Sequence, residues 1–178
     1  MGNKTMTSAM ANKMLRKLND EKDYLLQLEQ SASVYIEAEG TEAYIPEYDH
    51  KDVSSKISDF DNKVCILKHA INKMDTETSI TVNIKGVSTT MRIDVALVKM
   101  AQLNRRADTL NIMRKRLPKS RRQNGYGGDN NLVEYICVNY DVDEVKGEYD
   151  DLMDIIAEME SQIDYINQTV ELKFEEEL

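Results

Sequence analysis

Apolar residues recur along most of this chain at alternating steps of three and four positions, the spacing that lines one face of an α-helix. Four stretches share this spacing. It is unbroken in the second and fourth, interrupted once at Glu21 in the first, and widened into a broader stripe in the third. The pattern predicts four helices, at about 6–39, 50–75, 92–117 and 142–172. Such regular spacing favours long helices that pack along a narrow seam.

Two other stretches alternate with a period of two, which is typical of β-strands. They predict strands at about 79–85 and 131–140. The Lys85-Gly86 pair favours a hairpin between the first strand and residues 87–90, although pairing of the two predicted strands with each other also fits. Residues 118–130, which are rich in Gly and basic side chains, predict a long loop.

Residues near the ends of the predicted helices agree with these bounds. Gly40 is placed to end the first helix, and Pro118 closes the third. Residues 114–116 are all basic and fall in the predicted last turn of the third helix, where cations favour the helix dipole. Asp141, followed by Glu144, is a candidate N-cap for the fourth.

The 178 residues are enough for one domain, and we expect a single helical domain over residues 1–178. A helix of about 26 residues is about 39 Å long. The predicted fold class is therefore mainly α, an elongated antiparallel helical bundle or set of coiled-coil hairpins with a small β element. Narrow seams bury little surface per chain, so we expect a homo-oligomer.

Composition excludes several classes of protein. The chain has no apolar run of about 18 residues and no apolar stretch at its N-terminus, which argues against membrane spans and secretion. The two cysteines, Cys65 and Cys137, lie in apolar runs and are expected to be buried, reduced thiols. We therefore expect a cytoplasmic protein.

The charges are unevenly distributed along the chain. The net charge of −9 argues against binding of extended nucleic acid. Residues 105–122 nevertheless contain eight basic and one acidic side chain, whereas residues 141–178 contain fourteen acidic and two basic ones. Any functional interpretation has to account for this segregation.

Catalytic and metal-binding motifs are missing from the sequence. Only two histidines are present, and neither a C-x-x-C nor an H-E-x-x-H spacing occurs. Cys65 and His69 share a helix face, but a bare helical pair is weak support for a nucleophile. The acidic residues 150, 151 and 154 fit a solvated helix face better than a cation site. The sequence predicts a protein that is not an enzyme and uses no cofactor or metal.

The basic segment is the one candidate site. Arginine forks, exposed backbone N–H groups in a Gly-rich loop and an aromatic plane are what phosphate and nucleotide recognition requires. The candidate ligand-binding residues are Arg114, Arg116, Lys119, Arg121, Arg122 and Tyr126. We expect a non-enzymatic oligomeric protein that holds or sequesters a phosphate-bearing small molecule or nucleotide there. The alternative is a purely structural homo-oligomer whose basic segment docks acidic faces of neighbouring subunits.

The order of these features resembles that of a known family. The resemblance spans about residues 13–174. It rests on the opening helix at 13–18, the pair Ile71-Asn72, the segment 97–106 and the closing stretch 163–172. The chain resembles a family of uncharacterised bacterial helical proteins sometimes labelled septicolysin-like. The resemblance implies a helical, oligomeric fold and supplies no catalytic residues.

Overall fold

The computed structural model describes residues 5–40, 42–122 and 133–174. Within these ranges the protein is mainly α-helical, with two small antiparallel sheets of two strands each, which confirms the predicted fold class at this level. The elements in chain order are α1 (Ser8–Ala32), α2 (His50–Glu77), β1 (Ser79–Ile84), β2 (Val87–Arg92), α3 (Ile93–Met113), β3 (Lys119–Arg121), β4 (Tyr135–Cys137) and α4 (Val142–Thr169). In the part of the chain that is described, no helix is both long and apolar enough to cross a membrane.

Side-chain caps define the starts of three helices. Thr7 Oγ1 accepts a hydrogen bond from the backbone N–H of Met10 at 3.4 Å and caps α1. Asp49 caps α2 through the N–H groups of Lys51 and Asp52, at 2.8 and 3.2 Å. Asp141 does the same for α4, accepting from residues 143 and 144 at 2.8 and 3.3 Å, as predicted. Each cap satisfies donors that the first turn of a helix leaves unpaired.

The first helix is shorter than predicted, because it ends at Ala32 rather than near residue 39. Gly40 has the positive φ of +82° that suits a chain reversal, but it lies eight residues beyond the helix end. Residues 34–36 are Val-Tyr-Ile, which have low helix propensity, and all three are exposed. A terminal turn without a packed face has little to stabilise it.

The third helix also ends early, at Met113 rather than 117. Arg114 is its C-cap residue, so residues 115 and 116 lie beyond the last turn in which their charges were expected. The residue before a proline is disfavoured in helical geometry, which stops the helix ahead of Pro118. The carbonyl oxygen of Pro118 instead accepts the N–H of Val138 at 3.1 Å and opens a sheet.

Strand pairing resolves the alternatives left open by the sequence. β1 pairs with β2, and the turn residues Lys85 and Gly86 both have positive φ, of 52° and 80°, as a two-residue type I′ turn requires. The later strand pairs with β3, a strand that was not predicted because it lies in the expected loop. The pairing of the two predicted strands with each other is therefore wrong.

The described residues form two compact units. The first contains the residues up to Thr78 and those from Asp164 onward, with α1 packed on α2. The N–H of Leu172 donates to the carbonyl of Met6 at 2.8 Å, which ties the segment after α4 to the start of α1. Its buried apolar residues are Ala11, Leu15, Leu18, Val53, Leu67, Ala70, Met74, Ile166 and Leu172.

The second unit, Ser79–Ile163, packs the β1–β2 hairpin on α3. Alternate residues of β1 turn inward, and the outward N–H of Asn83 is capped by both carboxylate oxygens of Glu158 at 3.1 and 3.2 Å. This cap occupies a donor that an open strand edge would otherwise present. The buried apolar residues of this unit are Ile80, Val82, Ile93, Ala96, Ala107, Leu110, Val145, Ile155, Ile156, Met159 and Ile163.

Candidate functional site

The C-terminal end of the basic segment forms β3, which pairs with β4 in an exposed two-stranded ribbon. The pairing is antiparallel, with Lys119 opposite Cys137 and Arg121 opposite Tyr135. It extends beyond the strands through the N–H of Arg122, which donates to the carbonyl of Glu134 at 2.9 Å. Opposite residues of an antiparallel pair share a face, and successive residues alternate between faces. Lys119, Arg121 and Tyr135 therefore lie on one side of the ribbon.

We call Lys119, Arg121 and Tyr135 the ribbon face. The Nζ atom of Lys119 lies 4.2 Å from the centroid of the Tyr135 ring, a cation–π contact across the strands. The tyrosine is 53% exposed. Neither cation of the ribbon face forms an ion pair with any residue in the described ranges. The ribbon face thus presents two positive charges beside an accessible aromatic ring.

Two other predicted site residues are held by neighbours. Arg122 Nη1 donates to Glu134 Oε2 at 2.9 Å, across the ribbon just beyond the paired residues of β3 and β4. The guanidinium of Arg114 lies 4.1 Å above the ring of Tyr149, and its Nε donates to Asn111 Oδ1 at 3.1 Å. Both cations are partly neutralised or fixed, so they are less available to a ligand than the ribbon face.

Of the remaining two predicted residues, Arg116 does not join the ribbon and Tyr126 is not among the described residues. Arg116 follows the end of α3, where its N–H donates to the carbonyl of Met113 at 3.1 Å and its side chain is exposed. Tyr126 and the Gly-rich stretch around it lie in 123–132, outside the described residues. Of the five predicted residues that the structure describes, Lys119 and Arg121 are the two that lie together on the ribbon face.

Tyr135 was missed as a functional residue, because it was assigned only to a strand. The available signal was two short stretches flanking a Gly-rich loop, the sequence arrangement of a hairpin. That arrangement would have placed the strand of Tyr135 beside the basic residues, whereas its register opposite Arg121 is given by the structure.

The segregated charges meet at one point within the second unit. Arg106 of α3 forms a forked contact with Glu148 of α4, with N···O distances of 2.9 to 3.1 Å. Among the described residues this is the one ion pair that joins residues 105–122 to residues 141–178. Of the eight cations in residues 105–122, Arg106 and Arg122 are the two with ion pairs among the described residues, so most of the positive charge there has no acidic partner.

Cys65 and Cys137 are free thiols, as predicted, but both are exposed, so the expected burial is wrong. Cys65 lies beside the apolar seam of α2 rather than in it. Cys137 belongs to a ribbon whose strand residues are exposed on both faces of β4. An apolar run therefore did not guarantee a covering layer at either position.

A cluster that the sequence did not reveal joins the end of α1 to the start of α2. The Tyr48 hydroxyl donates to Glu29 Oε1 at 3.0 Å and lies 3.1 Å from His50 Nδ1. His50 Nδ1 is 3.5 Å from the same carboxylate oxygen. Desolvation by burial, then the hydrogen bond to Glu29 and the charges of Glu29 and Asp49, raise the pKa of Tyr48 above 10.0. Three polar side chains thus anchor the connection between the helices.

The first unit also has an open groove of about 380 Å³ between α1 and α2. Its surface is mainly apolar, and its lining residues are Asp20, Glu21, Tyr24, Leu25, Lys56 and Phe60. Across the described ranges, no three His, Cys, Asp or Glu side chains come together as metal ligands would.

The comparisons with known proteins bear on the fold alone. No family model matches the chain, and no curated protein matches it. Among solved structures, the chain is similar to a functionally unknown conserved protein from Corynebacterium diphtheriae, with a TM-score of 0.63 and 17% sequence identity. The match covers 95% of this chain and 99% of the other. At this identity the similarity shows a shared fold and carries no function across.

Proposed function

We propose that this protein is a non-enzymatic, oligomeric binding protein that holds a phosphate-bearing small molecule or nucleotide on the ribbon face. The observation that carries the proposal is the placement of Lys119 and Arg121 on the same side of a ribbon as the exposed ring of Tyr135. We further propose a cytoplasmic location and an elongated, coiled-coil arrangement of the helices. Membership of the septicolysin-like family stays a prediction.

The three side chains of the ribbon face supply complementary parts of a nucleotide site. The guanidinium of Arg121 can bind two phosphate oxygens through parallel N–H donors, whereas the Lys119 ammonium acts as a compact point charge. The ring of Tyr135 is a stacking surface for a base, and stacking on aromatic side chains contributes about 1–3 kcal/mol per base. Arg116 and Tyr126 would add contacts to phosphate and base if the ligand extends toward them.

The test is thermal melting with adenosine triphosphate or inorganic phosphate as the probe. A ligand at a hundredfold excess over its Kd stabilises the folded state by about 2.7 kcal/mol, so the melting temperature should rise. Added salt should reduce this rise, because exposed charges are screened over about 8 Å at physiological ionic strength.

Three variants assign the effect to the ribbon face. Lys119→Ala/Arg121→Ala should abolish the shift, whereas Tyr135→Ala should weaken the nucleotide more than inorganic phosphate. The matched control Lys13→Ala/Lys68→Ala removes two exposed cations from the first unit and should respond like wild type. Equal shifts in the ribbon-face variant and the control would refute the proposed site.

The alternative function is a structural homo-oligomer in which basic residues dock acidic faces of neighbours. It is favoured by the Arg106–Glu148 contact, which already joins the two charged segments within one chain. This alternative expects no melting shift with either probe, together with weaker self-association when basic residues of the segment 105–122 are replaced.

A further inference from the structure

The connection between α1 and α2 exposes apolar and acidic side chains together. We call residues 34–39 and 42–47 the acidic segment. Its large apolar residues are exposed, with Ile36 at 93% and Tyr44 at 85%. It contains four glutamates and no basic residue. None of the four forms an ion pair within the described part of the chain. A surface this apolar is costly to leave in water and is typical of an interaction site.

The ribbon has the opposite charge and a similar apolar content. Lys119 and Arg121 are exposed without acidic partners among the described residues, and Val133 and Tyr135 are each at least half exposed. The acidic segment and the ribbon are therefore complementary in two independent respects. Opposite charges steer the two surfaces together and exclude wrong partners, while the apolar side chains gain by leaving water.

We propose that the acidic segment of one copy of this chain docks on the ribbon of a second copy. Both surfaces are exposed, and each copy carries one of each, so a second copy supplies the complement of either surface. The glutamates at 37 and 39 pair with the ribbon-face cations, and the neighbouring aliphatic side chains cover the ribbon's apolar residues. This acidic partner differs from the 141–178 segment considered from the sequence.

This proposal rests on the proposed function, because both use the cations Lys119 and Arg121. It adds a way in which access of the ligand to these cations is regulated. A phosphate-bearing ligand and the acidic segment cannot both neutralise Lys119 and Arg121. Ligand binding therefore releases the second copy, so the protein of the proposed function is oligomeric while the ribbon face lacks ligand and holds its ligand as a single subunit.

Charge reversal with complementation tests this contact. Glu37→Lys/Glu39→Lys places lysines opposite the ribbon-face cations, and Lys119→Glu/Arg121→Glu places glutamates opposite the acidic segment. In sedimentation at micromolar concentration, each should associate at least tenfold more weakly than wild type. An equimolar mixture should associate again, because the new lysines of one variant then meet the new glutamates of the other, and the two unchanged surfaces can also pair. All four positions are exposed, so circular dichroism and melting should show intact folding.

Two controls sharpen the result. Lys13→Glu/Lys68→Glu matches the charge change of Lys119→Glu/Arg121→Glu at exposed positions of the first unit, and it should associate like wild type. Val34→Ser/Ile36→Ser removes apolar surface without changing charge and should also weaken association. A monomeric wild type, undiminished association of either reversed variant, or a mixture that stays monomeric would overturn the inference.

The outcome is separable from that of the proposed function. If the mixture associates while adenosine triphosphate leaves the wild-type melting temperature unchanged, the contact between copies stands and the ligand site fails. If the nucleotide raises the melting temperature while the mixture stays monomeric, the ligand site stands and the contact fails.

Discussion

At the scale of single residues, Tyr48 is the group whose titration the fold alters most clearly. Its hydroxyl is held by Glu29 and faces His50 and Asp49, and its pKa is raised above the ordinary value of 10.0. The folded state therefore retains this proton at a pH where the unfolded chain has begun to lose it. The resulting stability is complete below the unfolded pKa and is lost as the pH rises through the folded pKa.

Tyr48→Phe should therefore remove the part of the free energy of unfolding that changes with pH in the alkaline range. We expect wild type to be more stable than the variant at pH values below the ordinary tyrosine pKa of about 10, and this difference to shrink as the pH rises above it. Urea unfolding of both proteins across that range measures it. A difference that does not change with pH would show that the hydroxyl has no role in the titration.

Gly147 and Gly86 offer a matched pair of glycine substitutions. A Cβ at either position meets no atom within 4 Å, but Gly147 lies inside α4 whereas Gly86 has φ +80° in a turn. Gly147→Ala should stabilise the protein by about 1 kcal/mol through helix propensity. Gly86→Ala should destabilise it, because alanine is strained at positive φ. Denaturant unfolding distinguishes the two, and equal effects would contradict the assigned backbone geometry.

At the scale of elements, the sequence was most informative where packing and local preference agree. The bounds of α2 and α4 lie within three residues of the predictions, since their apolar spacing continues along a face that is buried or half-buried. The turn at Lys85-Gly86 was likewise indicated by its own chemistry. The early ends of α1 and α3 were not predicted, because the apolar spacing in the sequence continues past the last turn that packs against another element.

Helix α3 provides a direct test of which apolar positions pack. Leu97 and Leu110 both belong to the broad apolar stripe that the sequence shows in this helix, yet Leu97 is 43% exposed and Leu110 is 0% exposed. Leu110→Ala should therefore cost about 2–5 kcal/mol through lost contacts and a cavity, whereas Leu97→Ala should cost well under half of that. Chemical unfolding of the two variants measures the difference. Similar losses would mean that the buried face of α3 is assigned incorrectly.

The short strand β3 shows why the candidate site was only partly predictable. A three-residue strand of alternating basic and polar side chains has no hydrophobic pattern of its own, and its pairing with β4 is a contact between residues distant in sequence. The basic composition was enough to select Lys119 and Arg121. It could not reveal that Glu134 holds Arg122, or that Tyr149 lies under Arg114, because both neighbours belong to other elements.

At the scale of the whole molecule, the segregated charge is only partly used within one chain. The Arg106–Glu148 pair joins the two charged segments, while Lys119 and Arg121 keep uncompensated charge beside an exposed ring. We interpret this remainder as a binding surface that takes either a phosphate-bearing ligand or the acidic segment of a second copy. The central claim is that these two occupants compete for the same two cations.

Native mass spectrometry of the wild-type protein, with and without adenosine triphosphate, tests that claim most directly. Without nucleotide we expect multiples of the 20.4 kDa subunit, because the acidic segment of one copy occupies the ribbon of another. With nucleotide we expect the single subunit carrying the mass of the ligand. The Lys119→Ala/Arg121→Ala variant should show neither the multiples nor the ligand-bound subunit, and should appear as a bare subunit in both spectra. A bare 20.4 kDa subunit in both wild-type spectra would contradict the account.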